Sequence, residues 1–225
     1  MRRTVSIIML AAVAAGALVF AQTAPPRPMS PPGSAHAQVL GTWAKPARPA
    51  FTLGRENYEG GKWIEITYGR PLQRGRDVFG SGENYGKAAL DVGAAGFPPP
   101  PVWRAGANVS TRLKTEAALA FGGKTVPAGE YSLFIDLKPA QWTLIVSSWA
   151  AQAKFDPQDK TALWGAYGYT PDKDVARIPM KVETLPFAVE ELTWSFIDMT
   201  NDGGRLALMW GKTMGSASFR ARAGS

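Results

Sequence analysis

Apolar and polar residues alternate along much of the chain beyond residue 60. In residues 62–68, Ile64, Ile66 and Tyr68 fall on one side, and the residues between them fall on the other. A period of two is typical of a strand with one buried face. Similar patterns predict further strands at residues 116–121, 130–137, 141–147, 177–183, 191–198, 205–210 and 216–220.

Glycine and proline separate these predicted strands. Residues 122–123 and 127–129 suit tight turns, and the Asn-Asp-Gly-Gly run at 201–204 suits a hairpin. Beyond the N-terminus, a helical period never extends over more than two turns, and only residues 148–161, rich in Ala and Lys, predict a short helix. The chain is therefore predicted to be an all-β, single-domain β-sandwich, either jelly-roll-like or an open barrel, of roughly nine or ten strands with little helix.

The first 21 residues have the features of a secretory signal peptide. Arg2 and Arg3 precede an apolar stretch over residues 5–20, and residues 19–21 fit a cleavage site before Gln22. The alternative is an uncleaved membrane anchor, but about 16 apolar residues are fewer than the ~20 that span a bilayer. We therefore expect a periplasmic or secreted protein, with membrane contact only through this segment if it stays uncleaved.

Two further regions follow the predicted signal peptide. Residues 22–50 contain seven prolines and are predicted to be a Pro-rich N-terminal segment, of which residues 29–43 lie along the domain as an edge segment. Residues 51–225 are predicted to form the β-sandwich domain. About 170 residues in one domain can bury a large core without disulfides.

Composition excludes several kinds of active site. The chain has no Cys and a single His, His36, which falls in the Pro-rich segment. Disulfides, thiolate metal sites, multi-histidine metal sites and a Ser-His-Asp triad are therefore excluded or strongly disfavoured. Nothing in the sequence singles out two carboxylates as a catalytic pair. No catalytic residue, metal or cofactor is predicted.

The positive charge is concentrated in one half of the chain. Removal of residues 1–21 takes away two arginines and lowers the formal net charge from +7 to +5, and all of this excess lies in residues 22–112. The excess indicates either an anionic partner or a solvated basic surface without a partner. Nucleic acid is not expected as a partner, because no recognition motif or Lys/Arg-rich helix is present. The oligomeric state stays open.

Six short segments carry a resemblance to a known family. They are ITYGRP at residues 66–71, GRDVFG at 75–80, VWRAGAN at 102–108, GGKTVPAGEYSLF at 122–134, WGAY at 164–167 and LMWGKT at 208–213. In this order they resemble the bacterial family catalogued as domain of unknown function 2911, over about residues 29–220. The resemblance implies an exported, β-rich single domain of Gram-negative bacteria, with no established activity, cofactor or partner. Residues 87–101 and 149–162 are longer here than in the family pattern.

Arginine, tryptophan and asparagine in these segments are the candidate ligand-binding residues. Guanidinium groups suit carboxylates and phosphates, Asn supplies a donor and an acceptor, and aromatic rings in loops stack on sugars. The alternative is that the arginines organise loops, that Trp103 belongs to the core and that Trp164 and Tyr167 plug one end of the sandwich. Trp142, Trp194 and Trp210 fall on apolar faces and are predicted to be core. The candidates are Arg70, Arg76, Trp103, Arg104, Asn108, Trp164 and Tyr167.

Three functions are compatible with these residues. The preferred hypothesis is a non-enzymatic binder of an envelope glycan or an anionic small ligand, whose candidate residues converge in one concavity. The second is a histidine-independent hydrolase or lyase that acts on a polymer, with Asp77 or Glu130 as acid/base. The third is a structural or assembly module that uses a sheet edge or an apolar patch as its interface.

Overall fold

The computed structural model describes residues 30–44, 58–90, 99–139 and 141–223. The predicted signal peptide and part of the Pro-rich segment lie outside the described residues. None of the helices in the described ranges is long and apolar enough to cross a bilayer.

The described residues form thirteen strands, one α-helix of a single turn, α1 (Lys87–Leu90), and two 3-10 helices, Gly82–Asn84 and Pro171–Lys173. The first seven strands are β1 (Pro32–Val39), β2 (Thr42–Trp43), β3 (Tyr58–Glu59), β4 (Lys62–Gly69), β5 (Thr111–Thr115), β6 (Ala118–Phe121) and β7 (Lys124–Val126). The remaining six are β8 (Gly129–Asp136), β9 (Trp142–Ser147), β10 (Ala150–Ala151), β11 (Ala162–Leu163), β12 (Asp174–Thr200) and β13 (Gly203–Arg222).

Nine of these strands form one large, open antiparallel sheet. Its order is β1-β4-β5-β8-β9-β12-β13-β6-β7, so β1 and β7 are the two edges. The predicted fold class, an all-β, single-domain β-sandwich, either jelly-roll-like or an open barrel, of roughly nine or ten strands with little helix, is therefore confirmed, and the sheet is open. The two remaining pairs, β2 with β3 and β10 with β11, are short.

The long strand β12 joins the two halves of the sheet. Its first part pairs with β9 and its second part pairs with β13, and the register shifts between Thr184 and Val189. Pro186 lies inside this gap and has no N–H to donate to a neighbouring strand. Because β12 changes partner along its length, the apolar faces of both halves turn toward one core. Two predicted strands, 177–183 and 191–198, are thus parts of one long strand.

The larger of two hydrophobic cores lies between the halves. Trp142 of β9, Trp194 of β12 and Ile64 and Ile66 of β4 are almost completely buried in it. Burial of each large side chain stabilises a fold by about 1.5–3 kcal/mol. The apolar faces predicted for these strands match the buried faces; in the strand at 177–183, Ile178, Met180 and Val182 were predicted to face inward, and of these Val182 is 36% exposed.

A second, smaller core lies on the opposite face of β8 and β9. Phe134 and Ile145 point away from the main core and pack with Leu163, Ala166 and Tyr169. Strands β8 and β9 are therefore buried on both faces. Residues 152–173, between β10 and β12, cover the face that points away from the main core and are called the covering segment below.

The predicted helix at residues 148–161 is wrong. Gln152 instead organises a series of turns: its side-chain oxygen accepts from the Asp156 N–H at 2.9 Å, and its nitrogen donates to the carbonyls of Asp156 and Ala162, both at 3.0 Å. Asp159 accepts the Thr161 N–H at 2.7 Å. Such side-chain bonds to the backbone compete with helical ones, so the helix propensity of the Ala and Lys residues is overridden.

Strand β5 of the sheet was not predicted, and neither was the short edge strand β7. Strand β5 reads Thr-Arg-Leu-Lys-Thr and has a single strongly apolar residue, Leu113, although Thr111 and Thr115 are buried as well. Each threonine hydroxyl finds a backbone carbonyl, Thr111 that of Ala105 at 3.2 Å and Thr115 that of Ala117 at 2.7 Å. A buried face made of hydrogen-bonded threonines gives no apolar alternation.

Candidate functional site

Three of the seven candidate residues lie together: the buried Arg104, the exposed Asn108, and Tyr167 of the covering segment. Arg104 is only 6% exposed, and its Nη1 donates to the Asn108 carbonyl at 2.7 Å. Its guanidinium carbon lies 5.7 Å from the centre of the Tyr167 ring. Burial lowers the pKa of Arg104, and interactions with Tyr167 partly offset this. The arrangement ties loop 105–108 to loop 164–168.

Two of the candidate tryptophans pack on other protein rings. Trp103 is 2% exposed and stacks on Trp210, with ring centres 6.0 Å apart and planes at 10°. Trp164 contacts Phe155 edge-on, with ring centres 6.0 Å apart. Burial leaves Trp103 no free face for a ligand.

Arg70 directly follows β4 and connects the residue before β1 with β12. Its backbone N–H donates to the Pro31 carbonyl at 2.9 Å, and its Nη2 lies 2.7 Å from a carboxylate oxygen of Glu191 in β12. Arg70, Arg76 and Arg104 thus have different neighbours, namely Glu191, Trp210 and Tyr167.

Arg76 lies in a separate, open cleft of about 530 Å³. The loop between β4 and α1 forms one wall, and the middle of β12 and β13 forms the other. Both the GRDVFG segment and the end of the LMWGKT segment border the cleft. The lining residues that bear on its chemistry are Gln73, Arg76, Asp77, Phe79, Tyr85, Glu183, Trp210 and Lys212. Of the seven candidates, only Arg76 is among the residues that line it.

An aromatic cluster forms the floor of this cleft. Phe79 lies 4.8 Å from Trp142, 5.8 Å from Trp103 and 6.1 Å from Trp210, measured between ring centres. The Trp142 indole N–H donates to the Tyr85 hydroxyl at 2.6 Å. Interlocked rings of this kind make a rigid support for the groups above them.

The backbone holds Arg76 in place at the edge of the floor. Its Nε donates to the Gln73 carbonyl at 3.0 Å and its Nη2 to the Leu72 carbonyl at 2.6 Å. The guanidinium carbon lies 5.9 Å from the centre of the Trp210 ring. Among the described residues, no carboxylate lies within ion-pair distance of Arg76. Its charge is therefore oriented but not neutralised.

Both acidic side chains that line the cleft already have ion-pair or hydrogen-bond partners. Glu183 pairs with Lys181 at 2.8 Å and with Arg205 at 3.4 Å, and the hydrogen bond from Lys181 together with both positive charges lowers the pKa of Glu183. Asp77 accepts the Gly80 N–H at 2.9 Å. A lowered pKa is the opposite of what a general acid requires. Glu130, the other carboxylate considered for catalysis, pairs with Arg112 and Lys114 on the outside of the sheet.

The other polar groups around the cleft are mainly hydrogen-bond donors. The Trp210 indole nitrogen is buried and has no hydrogen-bond partner among the described residues, and Lys212, two residues further, is exposed. A buried N–H without a partner costs about 1–3 kcal/mol. Arg76, Lys212 and the Trp210 N–H together suit an anionic ligand. Within the described ranges, no group of three or more acidic or His side chains could hold a metal ion.

Sequence reasoning missed Gln73, Trp210 and Lys212 as members of a candidate site. The apolar alternation of β13 predicts Trp210 to be core, and it is 5% exposed, but alternation does not reveal that its indole N–H has no partner. The available signal was the GRDVFG and LMWGKT segments, which are far apart in the chain and meet at this cleft.

A family model matches the part of the chain that forms the cleft and the covering segment. The family described as "Protein of unknown function (DUF2911)" matches residues 53–219, so the chain belongs to this family. The match covers the cleft and the covering segment. No curated protein and no solved structure matches the chain.

Proposed function

We propose that the protein is a non-enzymatic binding protein for a small anionic ligand, held in the Arg76 cleft. The observation that carries the proposal is a guanidinium without a carboxylate partner among the described residues, fixed by two backbone carbonyls beside an indole N–H that also lacks a partner there. Donors placed in advance lose little conformational entropy when a carboxylate or phosphate binds. The cleft volume is within the usual range for small-molecule sites.

The ligand class follows from the lining. Arg76 and Lys212 supply positive charge, and the aromatic floor accepts an apolar or planar part. We therefore propose a carboxylate or phosphate attached to a compact organic group. The N-terminal sequence supports the further proposal that the protein meets this ligand in the periplasm or outside the cell.

The test compares two single-charge variants. Thermal unfolding of the protein, of Arg76→Gln and of Arg222→Gln is followed with inorganic phosphate, citrate, glucuronate and, as neutral control, acetamide. Arg222 is exposed at the end of β13 and outside the cleft, so its replacement removes the same charge elsewhere. We expect at least one anion to stabilise the parent and Arg222→Gln, and Arg76→Gln to bind it at least tenfold more weakly.

Two results would overturn the proposal. One is that no anion raises the unfolding temperature of the parent. The other is that Arg76→Gln and Arg222→Gln respond equally, because binding would then reflect net charge and not the cleft.

A further inference from the structure

A second basin lies on the solvent-facing side of β1, β4 and β5 and shares no lining residue with the Arg76 cleft. Across these strands the register aligns His36 with Glu65, Glu65 with Lys114, and Lys114 with Glu130 of β8. The basin has a volume of about 410 Å³, and its lining residues are His36, Trp63, Glu65, Lys114 and Glu116.

Trp63 stands out on this polar face. It is 48% exposed, although Ile64 on the opposite face of β4 is fully buried. The His36 ring contacts it edge-on, with ring centres 6.2 Å apart. The Trp63 N–H donates to Glu116 Oε2 at 2.9 Å, and the Glu116 N–H donates to the Trp63 carbonyl at the same distance. The main chain at Trp63 is therefore held firmly, while much of the indole is open to solvent.

The basin offers both acceptors and donors around this ring. Among the described residues, neither Glu65 nor Glu116 has a cation within ion-pair distance. The Lys114 ammonium lies 3.4 Å from Glu130, which also binds Arg112 at 2.5 Å. Carboxylates accept, the ammonium donates, and the imidazole of His36 can do either.

We propose that this basin binds a neutral sugar ring of a glycan. One face of a pyranose is made of C–H groups, which suit the exposed face of an indole. Its rim carries hydroxyls, each of which donates and accepts, so that a rim with two carboxylates, one ammonium and one imidazole can satisfy several of them. Apolar surface framed by polar groups is typical of ligand-binding surfaces.

A cationic ligand is the competing occupant. An indole with nearby carboxylates also attracts ammonium groups. The Lys114 ammonium lines the same basin and repels a second cation, whereas a sugar hydroxyl can accept a hydrogen bond from it. The charges of the basin therefore favour the sugar.

The experiment uses Trp63→Ala with Trp43→Ala as its matched control. Trp43 is another exposed tryptophan, 62% exposed, and it does not line this basin. Binding of cello-, malto- and chito-oligosaccharides is measured by calorimetry, and choline chloride serves as the cationic probe. We expect binding of at least one oligosaccharide by the parent, a change within twofold in Trp43→Ala and at least a tenfold loss in Trp63→Ala. Trp63→Phe should recover part of the affinity.

The outcomes separate this inference from the proposed function. Arg76→Gln should leave oligosaccharide binding unchanged, and Trp63→Ala should leave anion binding unchanged. Equal sugar binding by the Trp63→Ala and Trp43→Ala variants, no binding of any oligosaccharide by the parent, or choline binding that depends on Trp63 in place of sugar binding would overturn it. Unchanged unfolding temperatures of both tryptophan variants would show that their folds are intact.

Discussion

Two arginines of this protein make the same kinds of contact, with one aromatic ring and with nearby backbone carbonyls, in very different surroundings. Arg104 lies 5.7 Å from the Tyr167 ring centre and Arg76 lies 5.9 Å from that of Trp210, and each donates to backbone carbonyls a few residues away. Arg104 is 6% exposed beneath the covering segment, whereas Arg76 is exposed at an open cleft. An arginine over an aromatic ring therefore supports a loop at Arg104, where it is enclosed. The same contact at Arg76, where it is open, leaves the guanidinium available to a ligand.

The largest expected effect is on stability. Arg104→Ala should lower the free energy of unfolding by about 2–4 kcal/mol, because it leaves a cavity at a buried position and removes the hydrogen bond to the Asn108 carbonyl. Arg76→Ala should lower it by less than about 1 kcal/mol, since that side chain is exposed. Urea unfolding of both variants at one pH measures the difference. Equal losses would remove the distinction between the two arginines.

Alanine substitutions at two glycines, one beside Arg104 and one at the Arg76 cleft, test the same difference in enclosure. Gly165 and Gly211 have φ angles of +64° and +58°, so alanine costs about 1–2 kcal/mol at either position. A Cβ at Gly165 would also lie 2.5 Å from Arg104 Nη1, whereas one at Gly211 would lie 3.1 Å from Gln73 Nε2. Gly165→Ala should therefore be more destabilising than Gly211→Ala by about 1 kcal/mol. Thermal unfolding of the two variants gives the order, and the reverse order contradicts it.

The covering segment should also make stability depend on pH. Burial and the hydrogen bond to Asp174 raise the pKa of Tyr169 above its usual value of 10.0. A raised folded-state pKa contributes stability that is complete below pH 10 and is lost as the pH rises above it. Tyr169→Phe should cost about 1 kcal/mol near neutral pH and flatten the decline above pH 10.

Urea midpoints between pH 8 and 11.5 measure this slope. Burial raises the pKa of Tyr68 in the main core as well, so part of the decline should persist in Tyr169→Phe. An unchanged slope in Tyr169→Phe would show that Tyr169 does not titrate differently in the folded protein.

The smallest expected effect on stability is at Trp210, in the open Arg76 cleft. Trp210→Phe should change the free energy of unfolding by no more than about 1 kcal/mol, because lost packing is offset by removal of an N–H without a partner. It should weaken anion binding about three- to tenfold. Trp194→Phe is the control: the Trp194 N–H donates to the Ala105 carbonyl at 2.9 Å, so that change should cost more stability and leave the cleft unaffected. Unaltered anion binding in Trp210→Phe would exclude the indole N–H from the site.

Single residues show how far prediction from the sequence extends. The side of the strand on which Ile64, Trp142 and Trp194 lie was predicted correctly, because alternate residues of a strand point to opposite faces wherever it lies. The cleft was not predicted as such: Arg76 was a candidate, but Gln73, Trp210 and Lys212 were not. Their meeting depends on the loop after β4 folding back onto β13, which no local pattern encodes.

The sequence by itself determined the family, the all-β class and the buried faces of most strands, since these depend on residue type and on a period of two. Only the tertiary structure decided that β12 pairs first with β9 and then with β13, that Arg104 is covered and that Arg76 is open. These features depend on contacts between residues far apart in the chain. Whether a charged side chain is enclosed is a property of everything packed around it, and not of its neighbours in sequence.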